Sequence, residues 1–261
     1  MDRGLSKKVV VVTGAAGSIG RGIALGFAKE GAKSFVTDLR EEPLRRTERD
    51  VREAGGECAS LAADVAMADS VKGVMSAAMS AFGRVDILVN VAGLVKQNKI
   101  EETGEREWDE VFAVNCKGTF LFIREAVPVM KKQGYGRIIN FSSKSGKTGS
   151  ALIAPYSAAK AAVIGLTQAL AFELADFGIN VNCVCPGLVE DTGVWDTLSA
   201  DYVKNLKQGK TEVTASFTKK VPLRRLAKVE DVVSVVLFLS STGADYMTGQ
   251  AINITGGREM H

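Results

Sequence analysis

Tyr156 and Lys160, in the run Tyr156-Ser157-Ala158-Ala159-Lys160, are two side chains whose spacing could do proton chemistry. The segment Ser157 to Phe177 reads as a helix, rich in Ala158, Ala159, Ala161, Ala162, Leu166 and Leu170. Positions four apart on a helix share a face, so the phenol and the ammonium are neighbours. A free tyrosine titrates near ~10, too high for a base at neutral pH. A nearby cation favours the phenolate, so Lys160 is expected to lower the Tyr156 pKa. Reaching ~7 takes roughly 4 kcal/mol, within the range of a charge in a partly desolvated cleft. The pair is a candidate acid–base unit for a hydroxyl proton. On its own the pentapeptide equally describes a surface lysine lying along a half-buried tyrosine.

The elements that must position such a pair start at the N-terminus. Val9-Val10-Val11-Val12 has the β-branched, continuous apolar character of a strand buried on both faces. It leads into Thr13-Gly14-Ala15-Ala16-Gly17-Ser18-Ile19-Gly20 and then a periodic helix through Ile23, Ala24, Phe27 and Ala28. Strand, glycine-rich turn and helix together cradle a dinucleotide pyrophosphate: glycines allow close approach, and the helix N-terminus offers free N–H groups. A second strand, Lys33 to Asp38, ends in a carboxylate eighteen positions beyond Gly20. A carboxylate there accepts hydrogen bonds from the adenosine ribose. It also repels the extra phosphate of NADP by roughly 4 kcal/mol at ~4 Å. NAD is therefore the expected cofactor, with Arg40 a partial offset.

With these pieces placed, the chain resembles the single-domain branch of the short-chain dehydrogenase/reductase family over essentially all 261 residues. Thr13 to Gly20 is similar to the family's cofactor turn. Asp64-Val65 resembles the pair that contacts the adenine, and Asn90-Val91-Ala92-Gly93 resembles the turn closing the strand Val85 to Asn90. Asn115 resembles the asparagine holding a relay water. Ser143, thirteen residues before Tyr156, has the spacing of the catalytic serine. Pro186-Gly187, after the strand Ile179 to Val184, resembles the loop that receives the nicotinamide. Thr248-Gly249-Gln250 through Gly256-Gly257 resembles the last strand. There are departures: Ser18 follows Gly17 beside the phosphates, Val91 replaces an asparagine, Thr255 replaces an aspartate, and Asp191 precedes Thr192 where a threonine usually contacts the cofactor amide.

The resemblance implies reversible hydride transfer between a secondary alcohol and the nicotinamide. Tyr156 exchanges the hydroxyl proton, Ser143 stabilises charge on the substrate oxygen, Lys160 tunes Tyr156 and holds the ribose, and Asn115 links Lys160 to solvent. It further implies cofactor contacts from Gly14, Ser18, Ile19, Gly20, Asp38, Leu39, Asp64, Val65, Asn90, Ala92, Gly93, Tyr156, Lys160, Pro186, Gly187 and Val189. Its fold expectation is a Rossmann-type, doubly wound α/β domain with a mainly parallel seven-stranded sheet and helices on both faces.

Composition agrees. Strand and helix patterns alternate from Val9 to Ile254, and 46 % hydrophobic residues can fill one large core, so residues 1–261 read as a single domain. No run of eighteen apolar residues and no signal-peptide core appear, which makes a cytoplasmic enzyme without membrane association the expectation. The only histidine is His261, which removes histidine triads and the usual zinc sites; no metal is expected. A net charge of +3 is too small and dispersed to suggest nucleic acid. Cys58, Cys116, Cys183 and Cys185 lack ligand spacing and read as reduced thiols. Arg40 to Glu53 alternates sign like a solvated helix face.

For the substrate, the polar segment at about 188–220 is expected to form a lid. Val189 to Asp196 and Gly249 to Gly257 look most like sugar-alcohol dehydrogenases acting on sorbitol or its 6-phosphate. Lys144 and Lys147 follow Ser143, and Lys96 follows the Asn90 turn, so three cations could meet an anionic group. Lys96, Ser143, Lys144, Lys147 and Trp195 are thus the candidate substrate residues, for a small polyhydroxy molecule that is neutral or anionic. A 3-oxoacyl or other ketone reductase and a non-catalytic NAD-binding regulator are the alternatives. Relatives in the family commonly form tetramers through the helices holding Asn115 and Tyr156 and through the C-terminal strand. The apolar stretch Val232 to Leu239 and the chain end fit such a homotetramer.

Overall fold

A computed structural model describes residues 3–193, 195–197, 199 and 209–261. Seven strands, β1 (Val9–Thr13), β2 (Lys33–Asp38), β3 (Cys58–Ala62), β4 (Ile87–Asn90), β5 (Gly136–Phe141), β6 (Ile179–Pro186) and β7 (Ala251–Ile254), form one sheet. Its order is β3-β2-β1-β4-β5-β6-β7, and every pairing is parallel. The chain reverses direction of travel across the sheet between β1 and β4. Such a switch point opens a crevice beyond the strands' carboxyl ends, where ligands of α/β folds bind. Thr13, Asp38, Asn90, Phe141 and Pro186 all end their strands at this edge.

Two layers of helices cover the sheet. Helices α1 (Ser18–Lys29) and α2 (Glu41–Glu53) pack on one face with the last helix, Val229–Ser240. Helices α3 (Ala68–Phe82), α5 (Gly118–Gln133) and α7 (Ala154–Leu174) pack on the other. The sequence shows why. Val10, Val12, Ile87, Val89, Ile139 and Phe141 face the first layer, whereas their strand neighbours Val11, Leu88 and Ile138 face the second. Both faces are buried, which is the reason these strands read as unbroken apolar runs. On α2 the expected solvated face is present, but Leu44, Thr47, Glu48 and Val51 form a buried stripe beneath it.

Some boundaries differ from expectation. β4 starts at Ile87 rather than Val85, because buried Asp86 is engaged by Val9 N–H at 2.9 Å and by Arg84 at 2.8 Å. α7 begins at Ala154, with Pro155 in its first turn, where the missing N–H costs nothing. β6 runs on through Pro186. Between α4 (Glu105–Phe112) and α5 lies a π-helical turn, Ala113–Lys117. Segment Ala154–Phe177 is long and apolar enough, at mean hydropathy 1.3, to cross a membrane by composition. One stripe of it (Ala159, Lys160, Val163, Thr167, Ala171, Leu174) is instead buried inside the protein.

Val232, Val236, Leu237 and Leu239 are core residues packed with α1, while Phe238 between them is exposed. Of the expected lid at 188–220, residues 194, 198 and 200–208 lie outside the described residues. Its described part includes α8 (Lys210–Thr218), from which Val213 and Phe217 pack with Trp195, Leu188 and Leu226. The last helix, Val229–Ser240, is α9 below.

Candidate active site

The glycine-rich turn is fixed by geometry that other residues cannot adopt. Gly14 has φ +65°, and a Cβ on it would sit 2.8 Å from the Ala92 backbone. A Cβ on Gly20 would meet the Gly14 carbonyl oxygen at 2.4 Å. Thr13 joins the two turns: its Oγ1 accepts hydrogen bonds from Val91 N–H at 3.0 Å and Ala92 N–H at 3.1 Å. Thr13 was not among the expected site residues; a buried hydroxyl at the end of an apolar strand was the available signal. α1 carries no side-chain cap and no acidic first turn, leaving its N-terminal amides for an anion. Ser18 donates from Oγ to the Asp191 carbonyl at 2.7 Å, tying this turn to the loop after β6.

Asp38 ends β2 at the carboxyl edge of the sheet, and it is already oriented. Its Oδ2 accepts from Ala16 N–H at 3.1 Å, and its Oδ1 accepts from Arg40 N–H at 3.0 Å and Nε at 3.3 Å. Leu39 beside it is exposed. Asp64 Oδ1 accepts from Ala66 N–H at 2.8 Å, and Val65 is buried against Gly118. Asn90 has its side chain inside the sheet. Its amide donates to Asn140 Oδ1 at 2.9 Å inside the sheet, so its side chain holds the turn from behind rather than facing the crevice. Asn140 in turn donates to Thr167 on α7 at 3.0 Å.

The proton-handling residues converge on one cavity of about 130 Å³. Ser143, Tyr156 and Lys160 line it together with Ile19, Gly93, Pro186, Gly187 and Val189. Lys160 Nζ donates to the Phe141 carbonyl at 2.7 Å and lies 5.6 Å from the Tyr156 ring centroid. Asn115 stands in the π-helical turn, and that turn aims it: Nδ2 donates to Leu94 O at 2.7 Å and Val111 O at 2.8 Å. A Cβ on Gly93 would lie 3.0 Å from Asn115 Oδ1 and 3.6 Å from Lys160 Nζ, so this glycine keeps the space between them open.

The electrostatics correct the simple sequence argument. Burial pushes the Tyr156 phenol up to about 12, with the Ser143 hydroxyl working against the rise. Burial also pushes the Lys160 ammonium down to about 8. Lys160 does not bring Tyr156 into the neutral range by itself, because both groups are desolvated and the ammonium is bonded to a carbonyl rather than to the phenol.

The candidate substrate residues separate. Trp195 is buried in the cavity wall, and Lys144 lines the cavity. Thr192, rather than Asp191, is the threonine at the cavity, its Oγ1 donating to Val189 O at 2.8 Å. Lys96 and Lys147 are turned away. Lys96 is paired with Glu110, whose carboxyl is held below its ordinary pKa by Lys96 and Arg106. Lys147 donates to the Ala251 carbonyl at 2.7 Å, holding β7. Much of the remaining wall is apolar, from Ile153 and Leu188, which pack with Tyr156 and with buried Val95 behind them.

A family model described as enoyl-(acyl carrier protein) reductase matches residues 14–259. The chain belongs to the short-chain dehydrogenase/reductase family. An oxidoreductase of Thermotoga maritima, described as uncharacterized, is 41 % identical over 250 residues, covering 96 % of each chain. Among solved structures, a variant of the actinorhodin polyketide ketoreductase with NADPH superposes with TM-score 0.95 at 36 % identity, covering 98 % of each chain. An NAD⁺-bound xylitol dehydrogenase superposes with TM-score 0.93 at 32 % identity, covering 97 % of this chain and 99 % of that one. This short-chain dehydrogenase/reductase is therefore an oxidoreductase of a fold that binds nicotinamide dinucleotides.

Proposed function

We propose that the chain transfers a hydride reversibly between a secondary alcohol and NAD, with Tyr156 as the acid–base residue. The observation that carries this reading is the meeting of Ser143, Tyr156 and Lys160 in one cavity below the Gly14–Gly20 turn. The bound dinucleotide would supply the hydride acceptor; the protein supplies binding and proton handling. Gly14, Ser18, Ile19 and Gly20 would hold its pyrophosphate, Asp38 and Leu39 its adenosine, and Gly93, Pro186, Gly187, Val189 and Lys160 its nicotinamide half. Ser143 orients the substrate oxygen and stabilises its developing charge. Tyr156 takes or returns the hydroxyl proton, and Lys160 with Asn115 passes it towards solvent.

Asp38 supports NAD over NADP through charge repulsion, since its second oxygen is not bound to Arg40 and its fixed carboxylate cannot swing away cheaply. For the substrate, the apolar wall from Ile153 and Leu188 favours a ketone or alcohol with apolar flanking carbon. A polyol is the second reading, favoured by the likeness to xylitol dehydrogenase. The deciding experiment measures initial rates of NADH formation with a panel of neutral polyols, their phosphorylated counterparts and simple secondary alcohols. Turnover with NAD that vanishes in Tyr156→Phe supports the proposal; dinucleotide binding without turnover of any member would favour a binding protein.

We also propose a cytoplasmic homotetramer. All four cysteines are free thiols. α5 and α7 cover the same sheet face and leave Phe120, Phe172 and Phe177 exposed, Phe172 at 90 %. Leu223, Tyr246 and Met260 expose a second set near the chain end.

A further inference from the structure

A second cavity of about 320 Å³ adjoins the candidate active site, and Lys144, Gly187 and Leu188 line both. Its far wall is Phe217, Val221 and Leu223 from the α8 region, together with Thr255, Gly256 and Arg258 after β7. The charges around it do not cancel. Arg225 is matched by Asp231, bonded at 3.0 Å through its second nitrogen. Lys144, Arg258 and Lys220 form a separate group: Lys220 and Arg258 lie over the Phe217 ring, at 5.8 and 6.0 Å from its centroid. Glu259 is the carboxylate facing this group, 3.9 Å from Lys144 Nζ and 3.3 Å from Arg258 Nε. Lys144 and Arg258 thus share one carboxylate, with Lys220 beside Arg258 on the Phe217 ring, and Lys144 is only 16 % exposed. Burial, Arg258 and Lys220 all push the Lys144 pKa down, as expected where positive charge is under-compensated.

We propose that this cavity is the subsite for an anionic group, a carboxylate or phosphate, carried by the substrate whose hydroxyl meets Ser143 and Tyr156. The inference rests on the oxidoreductase reading for its substrate half. Lys144 is the link: it is the residue after Ser143, and its side chain stands between the two cavities. Arg258 presents the planar fork suited to an oxyanion, and Lys220 adds a point charge. Phe217 and Val221 offer apolar surface to the carbon chain between the two functional groups.

Two measurements test this. The first is thermal stability of the cofactor-free protein in inorganic phosphate against sodium chloride at equal ionic strength. Wild type is expected to gain a few degrees in phosphate, and Arg258→Gln combined with Lys220→Gln to lose that gain. An equal gain in wild type and variant, or no gain in wild type, overturns the anion site. The second compares kcat/KM for a short hydroxy acid and its methyl ester. The acid-to-ester ratio is expected to fall about tenfold in the double variant. A phosphate response with an unchanged ratio would make it a free-anion site and overturn the substrate assignment. No turnover of either compound, alongside a phosphate response that the double variant loses, would overturn the substrate assignment and leave the anion site standing.

Discussion

Lys160 bonds its ammonium to the Phe141 carbonyl at 2.7 Å, not to the Tyr156 phenol. The lysine is buried and its pKa is depressed from the ordinary value to about 8. A depressed pKa means that the unfolded chain binds the proton more tightly than the folded one between about 8 and 10.5. Stability contributed by this group is therefore lost as pH falls through 8 and is fully present above 10.5. Lys160→Met removes the titration. The stability of wild type relative to this variant is expected to rise by about 3 kcal/mol across that window in the cofactor-free protein. Denaturant unfolding at pH 7, 9 and 10.5 checks it; a difference independent of pH would show that the lysine is not desolvated.

Tyr156 titrates high in the cofactor-free site because burial outweighs its hydrogen-bonding neighbour. Alcohol oxidation needs the phenolate, so its rate is expected to climb with pH and ketone reduction to fall. Tyr156→Phe removes the proton acceptor but not the cofactor cradle. A loss of about 10²–10⁴-fold in kcat is expected, with dinucleotide affinity, read by fluorescence titration, changed far less. Normal turnover in this variant would sink the assigned role.

Much of this site was legible from local pattern. Gly14, Gly20, Asp38, Ser143, Tyr156 and Lys160 sit at strand ends or on one helix face, where spacing alone sets their direction. Side chains whose aim depends on a distant partner were not legible. Lys96 was claimed by Glu110 and Lys147 by the Ala251 carbonyl, neither of which is near in sequence. Arg258 reaches Lys144 through Glu259 only because β7 is laid beside β6. Asn90 closes a buried amide chain with Asn140. The Tyr156–Lys160 spacing was readable; the cost of burying both groups depends on packing that spacing does not report.

Asp38→Asn keeps the shape of the carboxylate and deletes its charge. Ala16 N–H and Arg40 N–H donate to different oxygens of Asp38, so the asparagine oxygen keeps one of them and its NH2 faces the other, a cost of about 1–3 kcal/mol that the turn is expected to survive. Repulsion of the NADP phosphate disappears and Arg40, released from its ion pair, can meet that phosphate. The NAD-to-NADP ratio of kcat/KM is expected to fall about a hundredfold. A ratio that does not move would mean that Asp38 faces the turn alone and takes no part in cofactor choice.

Gly93→Ala tests the space between Asn115 and Lys160. The new methyl would lie 3.0 Å from Asn115 Oδ1, closer than an unshifted contact allows. Gly93 is exposed, and the two nearest atoms a methyl would meet are side-chain tips, with the Val91 carbonyl at an ordinary 3.8 Å. The fold should therefore tolerate it, with a cost of about 1 kcal/mol. Turnover is expected to suffer more than stability, since Asn115 must shift from its bonds to Leu94 and Val111. A variant that melts early yet retains full specific activity would separate the glycine from proton transfer.

Phe172 stands almost fully exposed on α7, with Phe120 on α5 and Phe177 just beyond α7 also open. Burying exposed aromatics between subunits would recover roughly 25 cal/mol per Å², which makes Phe172 the first residue to test for association. The same helix carries Tyr156 and Lys160 on its buried side, so association would stiffen the platform of the active site. Phe172→Glu puts a charge into that interface without touching the core. Light scattering is expected to show a smaller particle than wild type, and the melting temperature should become less dependent on protein concentration. If the mass is unchanged, this helix face is not where the subunits meet, and the Leu223, Tyr246 and Met260 edge is the next surface to substitute.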